Sequence, residues 1–186
     1  MFKNLISIFF TLILVSCGEI IQPTLDTFKV EKDVFKSGKS LISLPFDLHD
    51  LEEVTVDQNT LLIGVHGSNS PGYEWIYPLQ TLNDENNMVA FFRWDDEACP
   101  APSVNSLLSL IEKKISDNPN LNKIILLGHS YGGLLVVAFA EAWEMDFPLQ
   151  IHSIAAPLAG MGIFTSICNY EVPNNFRDNI ELHQWR

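Results

Sequence analysis

The 186-residue chain is short of positive charge, with 11 lysines and arginines against 23 aspartates and glutamates, a formal net charge of −12. A surface of that sign repels nucleic-acid phosphates and anionic lipid headgroups, so nucleic acid is not expected as a partner. The three cysteines and five histidines are scattered without the spacing of metal ligands, and no metal site is expected. There is no phosphate loop and no dinucleotide fingerprint, which leaves no cofactor to expect. Low-complexity tracts and internal repeats are missing as well. What is there is 47% hydrophobic and 18% charged, the composition of one globular domain with a sizeable core.

The apolar run at the amino end, Leu5–Val15, is eleven residues long, too short for a bilayer that needs ~20. Lys3 precedes it and small residues follow it, the layout of a secretory signal. Its end, Leu14-Val15-Ser16-Cys17, resembles the bacterial lipobox. That resemblance implies a leader over residues 1–16, lipidation of Cys17, and a protein exported to the bacterial cell envelope and held at a membrane by its acyl chains. An exported compartment permits disulfides. Cys99 and Cys168 are then free to pair, closing a loop of about seventy residues worth roughly 4 kcal/mol; unpaired, they would serve as small buried apolar groups.

Residues 17–56 read as a tether followed by weak strand signals in TFKVEKDVF and SLISL. From residue 57 to 186 the pattern is that of an α/β domain. TLLIGVHG and NMVAFFRW are buried-strand runs, with the helix-compatible YEWIYPLQTL between them and Pro78 as a possible break. In PSVNSLLSLIEKKISDNP, Val104, Leu107, Leu108, Ile111 and Ile115 share one helical face, with Ser103 as candidate N-cap and Asn118-Pro119 as the stop. The strand KIILLG, the helix GGLLVVAFAEAW and the strand QIHSIAAP follow. Alternation with short connections predicts a mostly parallel sheet with helices on both faces.

Ser130 stands at the junction of KIILLG and the next helix. Gly128 and Gly132 flank it where strand and helix crowd each other. Gly128-His129-Ser130-Tyr131-Gly132 resembles the nucleophile elbow of the α/β-hydrolase family, bacterial lipases and esterases in particular. LLIGVHGSNSPG resembles the His-Gly loop of the same enzymes, and IAAPLAG the strand and loop after their nucleophile helix. The resemblance implies Ser130 as nucleophile and the backbone N–H groups of Ser68 and Tyr131 as oxyanion donors. It also implies that His66 holds its loop and that His129 packs beside the elbow, neither acting as base. A small-molecule or lipid ester is the implied substrate. The aromatics Tyr73, Trp75, Tyr77, Phe91, Phe92 and Trp94 would suit an acyl pocket; core and helix packing is the plainer reading.

The resemblance fails at the carboxyl end. Serine needs a base, and the base an orienting acid. In this family they follow the serine on two further strands, yet only 29 residues follow Pro157. Asp178 and His183 stand in the right order but five residues apart, too close to end two strands; they read as a local pair or as a polar surface segment. Asp95 and Asp96 are a second option for the acid. The expectation is a hydrolase domain lacking its C-terminal strands, with its working acid and base lying beyond Arg186. The competing expectation is a non-catalytic ligand-binding lipoprotein on a degenerate form of the same fold.

Overall fold

The computed structural model describes residues 22–160 and 166–186; the leader and Cys17 lie outside these. The chain is an α/β protein with a six-stranded, mostly parallel sheet. Helix α1 (Val34–Ile42) and strand β1 (Asp47–Asp50) come first. They are followed by β2 (Thr60–Val65), α2 (Tyr73–Thr81), β3 (Asn87–Arg93), α3 (Pro100–Asp117), β4 (Lys123–His129), α4 (Tyr131–Glu141), β5 (Leu149–Ile154) and β6 (Ile180–Trp185). The strand order is β1-β3-β2-β4-β5-β6. β1 runs antiparallel to β3 and every other pairing is parallel.

Two layers of core explain why the central strands are apolar throughout. Leu61, Ile63 and Val65 of β2 and Met88, Ala90 and Phe92 of β3 pack with α3 and α4 on one face. Leu62 of β2 and Val89 and Phe91 of β3 meet Leu41 of α1 and Trp75, Ile76 and Leu79 of α2 on the other. That second cover thins at Ile125 and Leu127 of β4, which are only partly buried. Beyond it β5 alternates, with Leu149, Ile151 and Ser153 buried and Gln150, His152 and Ile154 half-buried. Among the described residues, one face of the β5–β6 end of the sheet is therefore only partly covered.

Four expectations need correction. The segment read as weak strands holds α1 instead. Val34, Gly38, Leu41 and Ile42 recur at helical spacing, and Leu41 is fully buried against α2; polar residues between them obscure the period. Helix α3 begins at Pro100, with Cys99 rather than Ser103 at its N-cap. Proline suits the first turn, where no N–H is needed. Finally, the segment read as polar surface contains β6, hydrogen-bonded beside β5 from Leu149↔Ile180 to Ile154↔Trp185. An edge strand with mostly exposed residues carries too little apolar pattern to announce itself. Pro78, read as a possible break, lies inside α2, which continues to Thr81.

Candidate active site

β2, β4 and β5 lie side by side, and their carboxyl ends open onto one edge of the sheet, where open α/β sheets bind ligands. Ser130 follows the last residue of β4 and caps α4. Its φ of 52° and ψ of −117° lie in a region that costs a non-glycine residue about 1–3 kcal/mol. The conformation is held from both sides: the Ser130 N–H donates to the Ile154 carbonyl at 2.8 Å, and the Ser130 carbonyl accepts from Gly133 N–H at 2.9 Å. The turn leaves no room at its flanks. A Cβ on Gly128 would lie 2.3 Å from the Gly132 carbonyl oxygen, and one on Gly132 would lie 2.4 Å from the carbonyl oxygens of both Val65 and His66. The Gly-x-Ser-x-Gly spacing is thus a packing requirement of strand against helix.

The His-Gly loop arrives at the same point from β2. A Cβ on Gly67 would stand 3.1 Å from Ser130 Cβ and 3.6 Å from Tyr131 N, so the two loops are in van der Waals contact. Ser68 is exposed. His66, at 1% exposure, lies between the rings of Phe91 and Trp94. Its Nε2 faces Arg93 Nη1 at 2.8 Å and its Nδ1 faces the Gly67 carbonyl at 2.9 Å. A guanidinium only donates, so Nε2 is the acceptor and the ring proton sits on Nδ1. Burial, with Arg93 adding repulsion, lowers the His66 pKa to about 4. A buried neutral ring tied at both nitrogens holds the loop and is no base for Ser130. Arg93 pairs with Asp96 at 3.6 Å, and Asp96 Oδ2 accepts the Asn69 N–H at 2.6 Å. The Tyr131 hydroxyl donates to the Ala98 carbonyl at 2.9 Å, and its ring rests on Trp94. Arg93 and Asp96 as parts of this clamp were not foreseen; the charged end of an otherwise apolar strand, RWDD, was the one signal for them.

The lowered His66 pKa sets a pH dependence. The folded state keeps His66 neutral down to about pH 4, whereas the unfolded chain takes its proton near 6.5. The unfolded state therefore binds more protons between those values. This contribution to stability is intact above pH 6.5 and falls by about 3 kcal/mol on the way to pH 4. Thermal melts across that window, compared with those of His66→Gln, are expected to show a smaller fall in the variant.

The remaining site candidates are not gathered here. Asp178 precedes β6 at the amino end of the sheet, beside Arg177 and Asp146, the opposite end from Ser130. His183 pairs in register with His152, and His152 with Leu127. That is three residues short of Ser130 and two strands across, about 14 Å at ordinary strand spacings. Its ring stacks on His152 with centroids 4.9 Å apart. Asp178 and His183 therefore do not form an acid–base pair for Ser130, since a parallel strand puts its two ends at opposite edges of the sheet. Asp96 is taken up by Arg93 and Asn69. Among the described residues no histidine or carboxylate side chain hydrogen-bonds to the Ser130 hydroxyl. Arg186, the residue past which the acid and base were expected, is exposed and directly follows β6. It lines a cavity with Ser153, Pro157 and Trp185 at the carboxyl edge of the sheet.

Cys99 and Cys168 are joined, 69 residues apart in sequence and 5.4 Å between Cα atoms. The bond ties the N-cap of α3 to the segment between β5 and β6. Of the aromatics, Trp75, Phe91, Phe92 and Trp94 are core and Tyr73 and Tyr77 are exposed on α2.

No protein-family model matches the chain, and no curated protein matches it. Among solved structures it is similar to Est1E from Butyrivibrio proteoclasticus at 19% identity and TM-score 0.47, covering 59% of this chain and 45% of that one. A lipase-esterase related protein from Clostridium acetobutylicum matches at 16% identity and TM-score 0.45, covering 59% and 46%. A highly thermostable carboxyl esterase from Bacillus coagulans matches at 12% identity and TM-score 0.41, covering 57% and 44%. The chain spans less than half the length of each of these three structures.

Proposed function

We propose that the chain carries the nucleophile and oxyanion loops of a serine hydrolase of the α/β-hydrolase type acting on carboxylic esters. In the same reading it is exported and anchored to a membrane of the bacterial cell envelope through a lipid on Cys17. The observation that carries the catalytic reading is the Ser130 backbone, held at φ 52° in a strand-to-helix turn with the Gly67 loop packed on its Cβ. Strain of this kind persists where the surroundings over-determine it, and it clusters at active sites.

In this reading the Ser130 oxygen adds to the ester carbonyl carbon and the carbonyl π pair moves onto oxygen. The N–H groups of Ser68 and Tyr131 hold that oxyanion, and one such donor is worth about 2.7–4 kcal/mol. Tyr131 opens α4, whose N-terminal dipole favours the same charge. Collapse expels the alcohol as its oxygen takes up a proton, leaving acyl-Ser130. Water repeats the addition and releases the carboxylic acid. A general base must take the serine proton, and the acid and base roles are assigned to no described residue. That same observation favours the second reading, a binding lipoprotein without chemistry.

A fluorophosphonate decides between them. Attack by Ser130 displaces fluoride and leaves a stable phosphonyl adduct. Intact mass of the protein from its source is expected to show one adduct in the wild type and none in Ser130→Ala, with the lipid on Cys17 read from the same spectrum. A wild-type protein that takes up no probe would falsify the catalytic reading and leave the binding one.

A further inference from the structure

We infer that Asp96 is a positioning residue for the oxyanion loop, a carboxylate that pins the peptide plane after Ser68 directly and helps to hold the arginine behind the plane before it. The inference rests on the serine-hydrolase reading above and assigns a determinant of its rate outside the elbow and the His-Gly motif.

The Ser68 N–H belongs to the Gly67–Ser68 peptide. A planar trans peptide points its N–H and its C=O in opposite directions, so whatever holds the Gly67 carbonyl aims the Ser68 N–H. The group that holds it is His66 Nδ1–H, at 2.9 Å. That proton is on Nδ1 because Arg93 Nη1 donates to Nε2 at 2.8 Å. Arg93 is in turn paired with Asp96 at 3.6 Å, both side chains being about 15% exposed (14% and 15%). The next peptide, Ser68–Asn69, is pinned directly, since its N–H donates to Asp96 Oδ2 at 2.6 Å. Asn69 sits at φ 52°, a left-handed conformation that asparagine tolerates better than most residues but that still needs a local partner. Ser68 itself is exposed, so burial does not hold it. Its two flanking planes are held by hydrogen bonds: the second ends on Asp96, and the first on Arg93, which the carbonyls of Ile42 (2.7 Å) and Trp94 (2.8 Å) hold together with Asp96. The register of the sheet makes this possible: Val65 pairs with Phe92, which brings His66 level with Arg93 and the two loops into reach.

Donors act on the rate through preorganisation, so a loop that wanders loses reaction rate before it loses binding. The test is fluorophosphonate labelling of the full chain in wild type, Asp96→Asn and Asp96→Ala, with Ser130→Ala as blank. It reads the inactivation constant, the probe's apparent affinity, the fraction labelled and the melting temperature. Asp96→Ala is expected to slow inactivation by about tenfold to 10²-fold at unchanged probe affinity. Asp96→Asn keeps an acceptor for the Asn69 N–H and is expected to recover most of the rate. A variant that only unfolds more readily would lower the fraction labelled and leave the rate of that fraction unchanged, which overturns the inference. So does an Asp96→Ala protein that reacts as fast as wild type, or an Asp96→Asn protein as slow as Asp96→Ala. No labelling of wild type overturns the hydrolase reading itself, and the positioning role with it.

Discussion

Replacing Gly132 by alanine is expected to destabilise the protein by about 3 kcal/mol or more, at or beyond the upper end of the usual cost of overpacking. The new methyl would stand 2.4 Å from two backbone carbonyl oxygens, those of Val65 and His66. Neither can swing aside as a side chain would. Val65 is the last residue of β2, paired with β3 on one side and β4 on the other, so the strand has nowhere to retreat. Helix α4 must move instead, and its residues from Tyr131 to Val137 are buried without interruption. The shift would also carry Tyr131 away from the Ala98 carbonyl that its hydroxyl holds and open the gap between the elbow and the Gly67 loop. The denaturant midpoint should fall with little change in slope, and phosphonate labelling should be lost with it. A Gly132→Ala protein as stable as wild type would mean that strand and helix are further apart than this.

The second large effect is expected from the disulfide. Cys99 and Cys168 close a loop over a sequence separation of 69, which contains α3, β4, α4 and β5. In the chain-entropy account, freeing a loop of that length costs about 4 kcal/mol by restoring conformations to the unfolded chain. In a domain whose total stability is of the order of 5–15 kcal/mol, that is a large share. The double variant Cys99→Ala/Cys168→Ala and the wild type treated with a dithiol reductant should therefore show the same lowered melting temperature, and the reductant should not affect the variant. A wild type indifferent to reductant would mean the two thiols do not pair in the protein.

Much of the molecule was legible in the sequence because the central strands are buried on both faces. TLLIGV, NMVAFFR and KIILLGH stand out as apolar runs for that reason, and the Val104, Leu107 and Ile111 stripe gave α3 the same visibility. Helix α1 escaped notice because it presents Lys36, Lys39 and Ser40 to solvent and buries only Ser37, Gly38 and Leu41. Strand β6 escaped because it is an edge, with Glu181, His183, Gln184 and Trp185 exposed. The pairing of Asp178 with His183 suggested itself because they are close in sequence. Extended at about 3.3 Å per residue, five residues carry them well apart, toward opposite ends of the sheet.

By itself, the sequence determined the α/β alternation, the glycine-flanked serine at a strand-to-helix junction and the His-Gly loop. These depend on local chemistry: apolar period, and small residues where two backbones meet. Only the tertiary structure decided which charged groups serve the site. Arg93 and Asp96 reach His66 and Asn69 across 27 residues because β2 and β3 lie in parallel register. Likewise His183 ends up stacked on His152 rather than facing Ser130 because β6 is a strand beside β5. Register and strand order are set by the packing of the whole sheet, and no short stretch of sequence encodes them.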